Sequence, residues 1–303
     1  MEEDKVILGG GVAGLIWLYY HPEYKLISKD VGGQFKSAFA LGPKFLHLDE
    51  NTKKLMTDLG LSNIPIKKVK IGFHYNGKVH SENTEENRQR YFNKTRESNE
   101  PYRSSMSANK TSFEAYDIGP EELTNLLFDN VKKNNIIRQN AKKIDIENQE
   151  IEIETEKIKY NNLLSTIPAN IFLRLSGEND LAEKFKYFST FFVLFGEEDF
   201  KYFYPVDFTG FDYVYFSEDK FPFHRATKTS QGIVAEYKVS PEQNEPILLG
   251  VPIRRNDMLL KVGQLVENDV NLNFKNVRFF GRYATWKHSI KINELLKEVY
   301  GTI

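Results

Sequence analysis

The chain has 303 residues, 41 Lys+Arg against 42 Asp+Glu, a formal net charge of −1 and no cysteine. Near-neutrality offers no global basic field for nucleic acid. The lack of cysteine excludes disulfides, thiolate metal sites and cysteine redox chemistry, so any redox chemistry has to come from a cofactor.

No run of about 18 apolar residues is available to span a bilayer. The acidic start Met1-Glu2-Glu3-Asp4 passes at once into an apolar run, which leaves no signal peptide and points to the cytoplasm. That run, Lys5-Val6-Ile7-Leu8, enters Gly9-Gly10-Gly11-Val12-Ala13-Gly14 and leaves through Leu15-Ile16-Trp17-Leu18. Strand, G-x-G-x-x-G turn and helix in this order are the layout of a dinucleotide fold. Gly9 permits the tight turn, Gly11 lets the backbone approach a pyrophosphate, and Gly14 lets the helix pack closely on the strand. The helix end around Val12 and Ala13 offers N–H groups and a positive dipole end to phosphates. A purely structural glycine turn is the alternative. The second strand, Tyr24-Lys25-Leu26-Ile27, ends in Ser28-Lys29-Asp30. No acid stands at its tip to take ribose hydroxyls, and Ser28 is left for a weaker hydrogen bond. Gly32-Gly33-Gln34-Phe35 follows, and a Gly-Gly pair that lets the chain pass close under adenosine and flavin reads as FAD rather than NAD.

Residues 36–60 contain Leu41-Gly42-Pro43-Lys44-Phe45-Leu46-His47-Leu48 and then a short amphipathic helix over 51–59. Residues 64–80 alternate apolar and polar, predicting strands joined by an Asn76-Gly77 hairpin turn. Segment 81–112 is rich in Asn, Glu, Arg, Lys and Ser and reads as an exposed, partly helical excursion or a flap. Pro120 with Glu121-Glu122 starts a helix running to Lys133. Residues 142–160 predict a charged antiparallel ribbon, and Leu163-Leu164-Ser165-Thr166-Ile167-Pro168 a buried strand returning to the first sheet. Aromatic strands are predicted at 188–195, 200–204, 211–216 and 232–239 and a helix at 257–267. A last buried strand is predicted at 276–281, then a helix at 289–300 with Ser289 as N-cap. The fold class is α/β. A Rossmann-type domain is assembled from 1–80, 135–170 and 270–303, with 81–134 and 171–269 as an inserted, mostly antiparallel substrate or cap region.

In the tail, an apolar strand runs into Gly281-Arg282, and Ser289-Ile290 opens a helix aimed past the strand ends. A flavin gathers negative charge at N1 and O2 on reduction, where such a dipole helps; an ordinary end of the domain is the plainer alternative. The run Phe280-Gly281-Arg282-Tyr283-Ala284-Thr285-Trp286-Lys287-His288 resembles the Gly-Arg-Leu-Ala-x-Tyr-x-Tyr segment of UDP-galactopyranose mutases. Tyr215-Phe216-Ser217-Glu218-Asp219-Lys220-Phe221-Pro222-Phe223-His224-Arg225 is similar to that family's Tyr-Thr-Asp-x-x-x-Pro-Tyr-Thr-Arg stretch. Glu245-Pro246-Ile247-Leu248-Leu249 resembles its Glu-Pro-Tyr-Tyr-Pro, and Gly42-Pro43-Lys44-Phe45-Leu46-His47 its Gly-Pro-His-Ile-Phe-His. The matches cover residues 1–60 and 200–303. The wider clan includes amine oxidases and protoporphyrinogen oxidases on a glutathione-reductase-2-like FAD fold.

The resemblance implies a noncovalent FAD, a substrate cleft over its face and an Arg near the diphosphate or flavin, with Arg282, Arg225 and His47 at matching positions. Departures fall where the family has paired substrate tyrosines (here Leu248-Leu249), a further tyrosine (Trp286) and the first loop His (Lys44). His47 reads as a flavin-tuning group or a structural histidine, and Lys44 as a lysine reaching flavin N5 through water or a solvated loop residue. Arg282 suits anion binding. Arg225 reads as a substrate arginine or a surface residue, Arg254 as a carboxylate- or phosphate-holding cation or a solvated turn, and Trp286 as a stacking or a core side chain. The six His show no metal-ligand spacing, and no nucleophile motif is present. The expected function is an FAD-dependent oxidoreductase acting on a small molecule, with an amine or amino-acid-like group as preferred substrate. A redox-neutral sugar mutase and a non-catalytic flavin-binding accessory protein are the alternatives.

Overall fold

The computed structural model describes residues 4–33, 45–96, 111–239, 257–266, 270–287 and 289–303. In chain order the described elements open with β1 (Lys5–Gly10), α1 (Val12–Tyr20), β2 (Lys25–Val31), β3 (Leu46–His47), α2 (Glu50–Asp58), β4 (Ile66–Tyr75), β5 (Lys78–His80) and α3 (Glu85–Arg96). They continue with β6 (Ser112–Tyr116), α4 (Pro120–Asn130), β7 (Ile136–Ile137), β8 (Lys143–Asp145), β9 (Glu150–Glu152), β10 (Lys157–Lys159), β11 (Asn162–Ser165), α5 (Ala169–Leu175) and α6 (Asn179–Ala182). The last are β12 (Tyr187–Phe195), α7 (Glu197–Phe203), β13 (Tyr213–Phe216), β14 (Arg225–Thr229), β15 (Gly232–Val239), β16 (Asp257–Leu265), β17 (Val277–Phe279) and α8 (Ile292–Tyr300).

Five strands form a parallel sheet in the order β17-β11-β1-β2-β7. Its central strands are apolar on both faces because both faces are covered. Ile7, Leu26 and Leu164 pack into a core with α1, α4 and α8. Val6, Leu8, Ile27 and Leu163 point the other way, into a core closed by α5 and the ribbon β8-β9-β10. The second sheet runs β16-β12-β15-β14-β13-β4-β6-β3, with β5 on β4, and its pairs are antiparallel except for β4 with β13. One of its faces is the aromatic core of Phe191, Val193, Phe195, Val214, Phe216 and Tyr237, covered by Phe200 of α7. The fold class expected from the sequence is the one observed: a Rossmann-type parallel sheet joined to a largely antiparallel one.

Several local expectations are corrected. Residues 257–265 are a strand, not a helix, because they pair along β12 through a register shift between Phe188 and Thr190. Gly263 sits at that shift, where a Cβ would lie 2.1 Å from Thr190 Oγ1. Residues 197–203 are a helix rather than an aromatic strand. Glu197, Glu198 and Asp199 complement the dipole in its first turn, and Phe200 alone is turned fully into the core. The last helix starts at Ile292, where Lys291 N donates to Glu294 Oε2 (2.9 Å), so exposed Ser289 is not its cap. Segment 81–96 is not merely exposed, since α3 buries Tyr91 and Phe92. Strands 66–80, assigned above to the nucleotide unit, pair in the second sheet. Helix α4, assigned to the insertion, buries Leu123 and Leu127 in the core of α1. The Asn76-Gly77 turn has positive φ at both residues (51° and 79°), as the hairpin requires.

Candidate functional site

The glycine turn is built at the carboxyl tips of the parallel strands. Gly9 takes φ +112°, and a Cβ there would meet Thr166 Oγ1 at 2.6 Å. Thr166, a residue not singled out from the sequence, donates its hydroxyl to the carbonyl of Gly9 (2.8 Å) and so braces the turn from β11's end. At Gly14 a Cβ would lie 2.0 Å from Gly9 O, so α1 approaches β1 more closely than any side chain allows. Gly11 is different, for a Cβ there would meet nothing within 4 Å. Among the described residues, nothing occupies the space on that side of Gly11.

Two other loops converge on the same helix end. Gly33, at φ +55°, brings the chain after β2 to 3.0 Å from Gly11 Cα, measured from a Cβ position. Gly281, at φ +100°, does the same against Ala13 Cβ at 3.0 Å. Gly32 N donates to Gly10 O (2.7 Å), locking the second loop to the first. Helix α1 has no side-chain cap and no acid in its first turn. Its orphan N–H groups and positive end are therefore available to an anion in front of Gly11. An open cradle bounded by three glycine loops fits the pyrophosphate of a dinucleotide such as FAD.

Beside this cradle, Ser28 lies half-buried in the middle of β2, its Oγ 2.9 Å from the Cβ position of Gly10 and donating to Asp30 O at 2.6 Å; the strand runs on to Val31, so Asp30 stands at its carboxyl end, contrary to the expectation of no acid there. Lys29 is exposed. Arg282, next to Gly281, is half-buried and donates Nε–H to Ile290 O (3.1 Å), which fixes its stem and keeps half-buried Ile290 near by.

His47 and Arg225 belong to a second constellation. Strand β3 alternates: Leu46 enters the core of α1, whereas Phe45 and His47 both face Phe113 of β6. His47 stacks on Phe113 (centroids 4.2 Å apart), Phe113 touches Phe45 (5.5 Å), Phe45 stacks on Tyr213 (6.1 Å) and Tyr213 meets Tyr215 (5.4 Å). The Arg225 guanidinium lies 5.8 Å over the Tyr215 ring. An aromatic row thus joins His47 to Arg225 along one face of the second sheet. Arg225 is not a surface residue pair with His224; it makes a two-pronged bridge to buried Glu236, Nε to Oε1 at 2.7 Å and Nη2 to Oε2 at 2.6 Å. Burial works to lower the pKa of Arg225, but the Glu236 carboxylate outweighs it and holds the guanidinium well above its usual value. His224 is driven well below the usual histidine value by burial, with Arg225, Lys94 and Lys238 acting in the same direction. Glu236 could not be found from sequence spacing, because its pairing follows from the register of β14 on β15.

Trp286, considered above as a ligand-stacking residue, is a core side chain instead. It is buried, packs edge-on against Phe185 and Tyr187, and donates Nε1–H to Val266 O (3.0 Å). Lys44, Gln34, Phe35, Arg254 and the Leu248-Leu249 pair lie outside the described residues. Among the described residues no helix is long and apolar enough to cross a membrane.

No family model and no curated protein matches the chain in sequence. Solved structures do match in fold. A reduced UDP-galactopyranose mutase is similar over 99% of this chain and 94% of its own, with a TM-score of 0.68 at 14% identity. A putative protoporphyrinogen oxidase from Exiguobacterium sp. 255-15 is similar over 100% and 98%, at a TM-score of 0.62 and 10% identity. A putrescine oxidase redesigned in its cofactor binding is similar over 99% and 97%, at a TM-score of 0.57 and 8% identity. The likeness at these identities is one of fold.

Proposed function

We propose that this chain is an FAD-dependent oxidoreductase that binds a small molecule over the flavin, with oxidation of an amine or amino-acid-like group as the specific reaction. The observation that carries the reading is the open cradle before Gly11, enclosed by Gly9–Gly14, Gly32-Gly33 and Gly281 at the uncapped end of α1. The fold shared with a mutase and two oxidases supports it.

The α1 N-terminus and the backbone from Gly10 to Gly14 would hold the pyrophosphate, and Ser28 and Lys29 the adenosine end. Bound flavin supplies a hydride or electron acceptor; the protein supplies orientation and electrostatics. Arg282, with its stem fixed on Ile290 O, has terminal N–H groups that hydrogen-bond to no other described residue and that suit an anionic group of cofactor or substrate. His47, held by stacking on Phe113, would present an imidazole at the start of the aromatic row. The half-buried rings of Phe45 and Phe113 in that row would offer an apolar surface against which a substrate is oriented.

A sugar mutase is the second reading, favoured by the mutase fold likeness. Against it stands Arg225, whose fork is already taken by Glu236 rather than free for a diphosphate. The deciding experiment is the visible spectrum of purified protein with identification of the released chromophore. Stoichiometric FAD, bleached anaerobically by a candidate amine and restored in air, is the expected result. Colourless protein that takes up no added FAD would overturn the reading.

A further inference from the structure

Half-buried Lys94 of α3 reaches the turn between β13 and β14, where its Nζ donates to Glu218 O and to Phe221 O, each at 2.8 Å. Phe221 N donates to Glu218 O (3.2 Å) and closes that turn. The Glu218 carboxylate is engaged elsewhere, with His74 Nδ1 at 2.5 Å and Lys220 Nζ at 3.2 Å. An ammonium has three N–H groups, and two of them are used here. Losing the third proton keeps both hydrogen bonds and leaves a lone pair in its place. Burial favours that loss, bringing the Lys94 pKa down to about 8 against the opposing pull of Asp219 and Glu218. The other titratable groups around it are Arg90, one turn earlier on α3, and His224, just before β14, which burial keeps neutral.

Lys94 also lines a cavity of about 550 Å³ with Arg90, Asn93, Ser217, Glu218 and Asp219. Their spacing puts Arg90, Asn93 and Lys94 on one face of the helix. Arg90 engages Glu86 through Nη2, and its Nε and Nη1 hydrogen-bond to no other described residue. Asn93 accepts from Gln89 Nε2 through Oδ1 (2.8 Å), which leaves its NH2 group as a donor. Asp219 is exposed and makes no ion pair among the described residues.

We infer that Lys94 is a carbonyl-capture site that forms an imine with a small α-oxo acid, whose carboxylate is received by Arg90 and Asn93. The Nζ lone pair attacks the carbonyl carbon, the C–N bond forms and the π pair moves to oxygen. A proton passes from nitrogen to that oxygen, with Asp219 as the carboxylate at hand to relay it. A second proton follows, water leaves as C=N forms, and no oxidant or reductant is consumed. The inference does not rest on bound flavin.

Glyoxylate with cyanoborohydride tests it on the purified protein, read by peptide mass spectrometry. Uncharged glycolaldehyde is the comparison, and Lys94→Arg and Arg90→Gln are the variants. A pKa about two units below that of an exposed lysine gives about 100-fold more free amine near pH 7. Lys94 should therefore be modified at least about 10-fold faster than exposed Lys159, at a rate that rises through about pH 8. Arg90→Gln should slow labelling by glyoxylate about 5-fold, the worth of one exposed ion pair, and leave labelling by glycolaldehyde unchanged. Lys94→Arg should lose the fast-labelled peptide. Lys94 labelled no faster than Lys159, or Arg90→Gln labelled by glyoxylate as fast as wild type, overturns the inference. The wild-type peptide map decides the first of these whether or not a variant folds.

Discussion

Gly11 and Gly14 share one turn of chain and are glycines for opposite reasons. A methyl on Gly14 would collide with Gly9 O at 2.0 Å, inside the protein itself, whereas one on Gly11 would enter open space. Gly14→Ala is therefore expected to destabilise the fold by more than about 2 kcal/mol in urea unfolding, as a strained core substitution does. Gly11→Ala, at a φ of −72° that alanine accepts, should leave the flavin-free protein within about 0.5 kcal/mol of wild type. It should still lose FAD binding by about 10-fold or more in a fluorescence titration, a cost of about 1.4 kcal/mol. Unchanged FAD affinity in Gly11→Ala would place the cofactor elsewhere. At this scale the sequence was most legible, because glycine spacing reports backbone geometry directly. Thr166 and Glu236 were not legible, since each acts through a partner distant in sequence: Thr166 on Gly9 and Glu236 on Arg225.

Elements with strong periodicity or a clear turn were readable, as β1, α1, the Asn76-Gly77 hairpin and the 142–160 ribbon show. Strand β16 and helix α7 were not. The apolar residues of β16 carry no period that separates a buried strand from a helix, and only pairing with β12 decides it. In α7 the aromatic content suggested a strand, but three acids at its start and packing on β15 prevail. The Arg225–Glu236 bridge belongs to this scale because β14 and β15 bring the two side chains opposite each other. Removing the buried Glu236 carboxylate leaves the half-buried Arg225 guanidinium without its partner. Glu236→Gln should cost about 3 kcal/mol in chemical denaturation, and the double change Arg225→Met, Glu236→Leu should recover most of it. A loss below about 1 kcal/mol for Glu236→Gln would mean that water reaches the pair.

The whole molecule adds a pH dependence to these local effects. His224 and His74 both titrate below the ordinary histidine value of 6.5, each chiefly through burial, with Glu218 partly opposing the shift at His74. An unfolded chain takes up these protons near pH 6.5 and the native one does not. Their contribution to stability is thus complete above that pH and is lost as the pH falls below it. The urea midpoint should drop between pH 7 and pH 5, with a slope of up to about 1.4 kcal/mol per unit for each group. Replacing His224 by Gln should flatten that profile, and an unchanged slope would assign the effect to other groups. Saturating FAD should raise the melting temperature, with about 2.7 kcal/mol of added stability at 100 times its Kd, and a 10-fold weaker Gly11→Ala should keep only about 1.4 kcal/mol of it at the same FAD concentration. The order of the parallel sheet has one further consequence. Its outer strand, β17, and the loop that seats Gly281 on Ala13 come from residues 277–281, while the turn they complete comes from residues 9–14. During translation the first strand and its helix leave the ribosome long before the pieces that close the cradle around them. On the proposed function, acquisition of the nucleotide would be a late event in biosynthesis, and a chain released before residue 281 should fail to retain it.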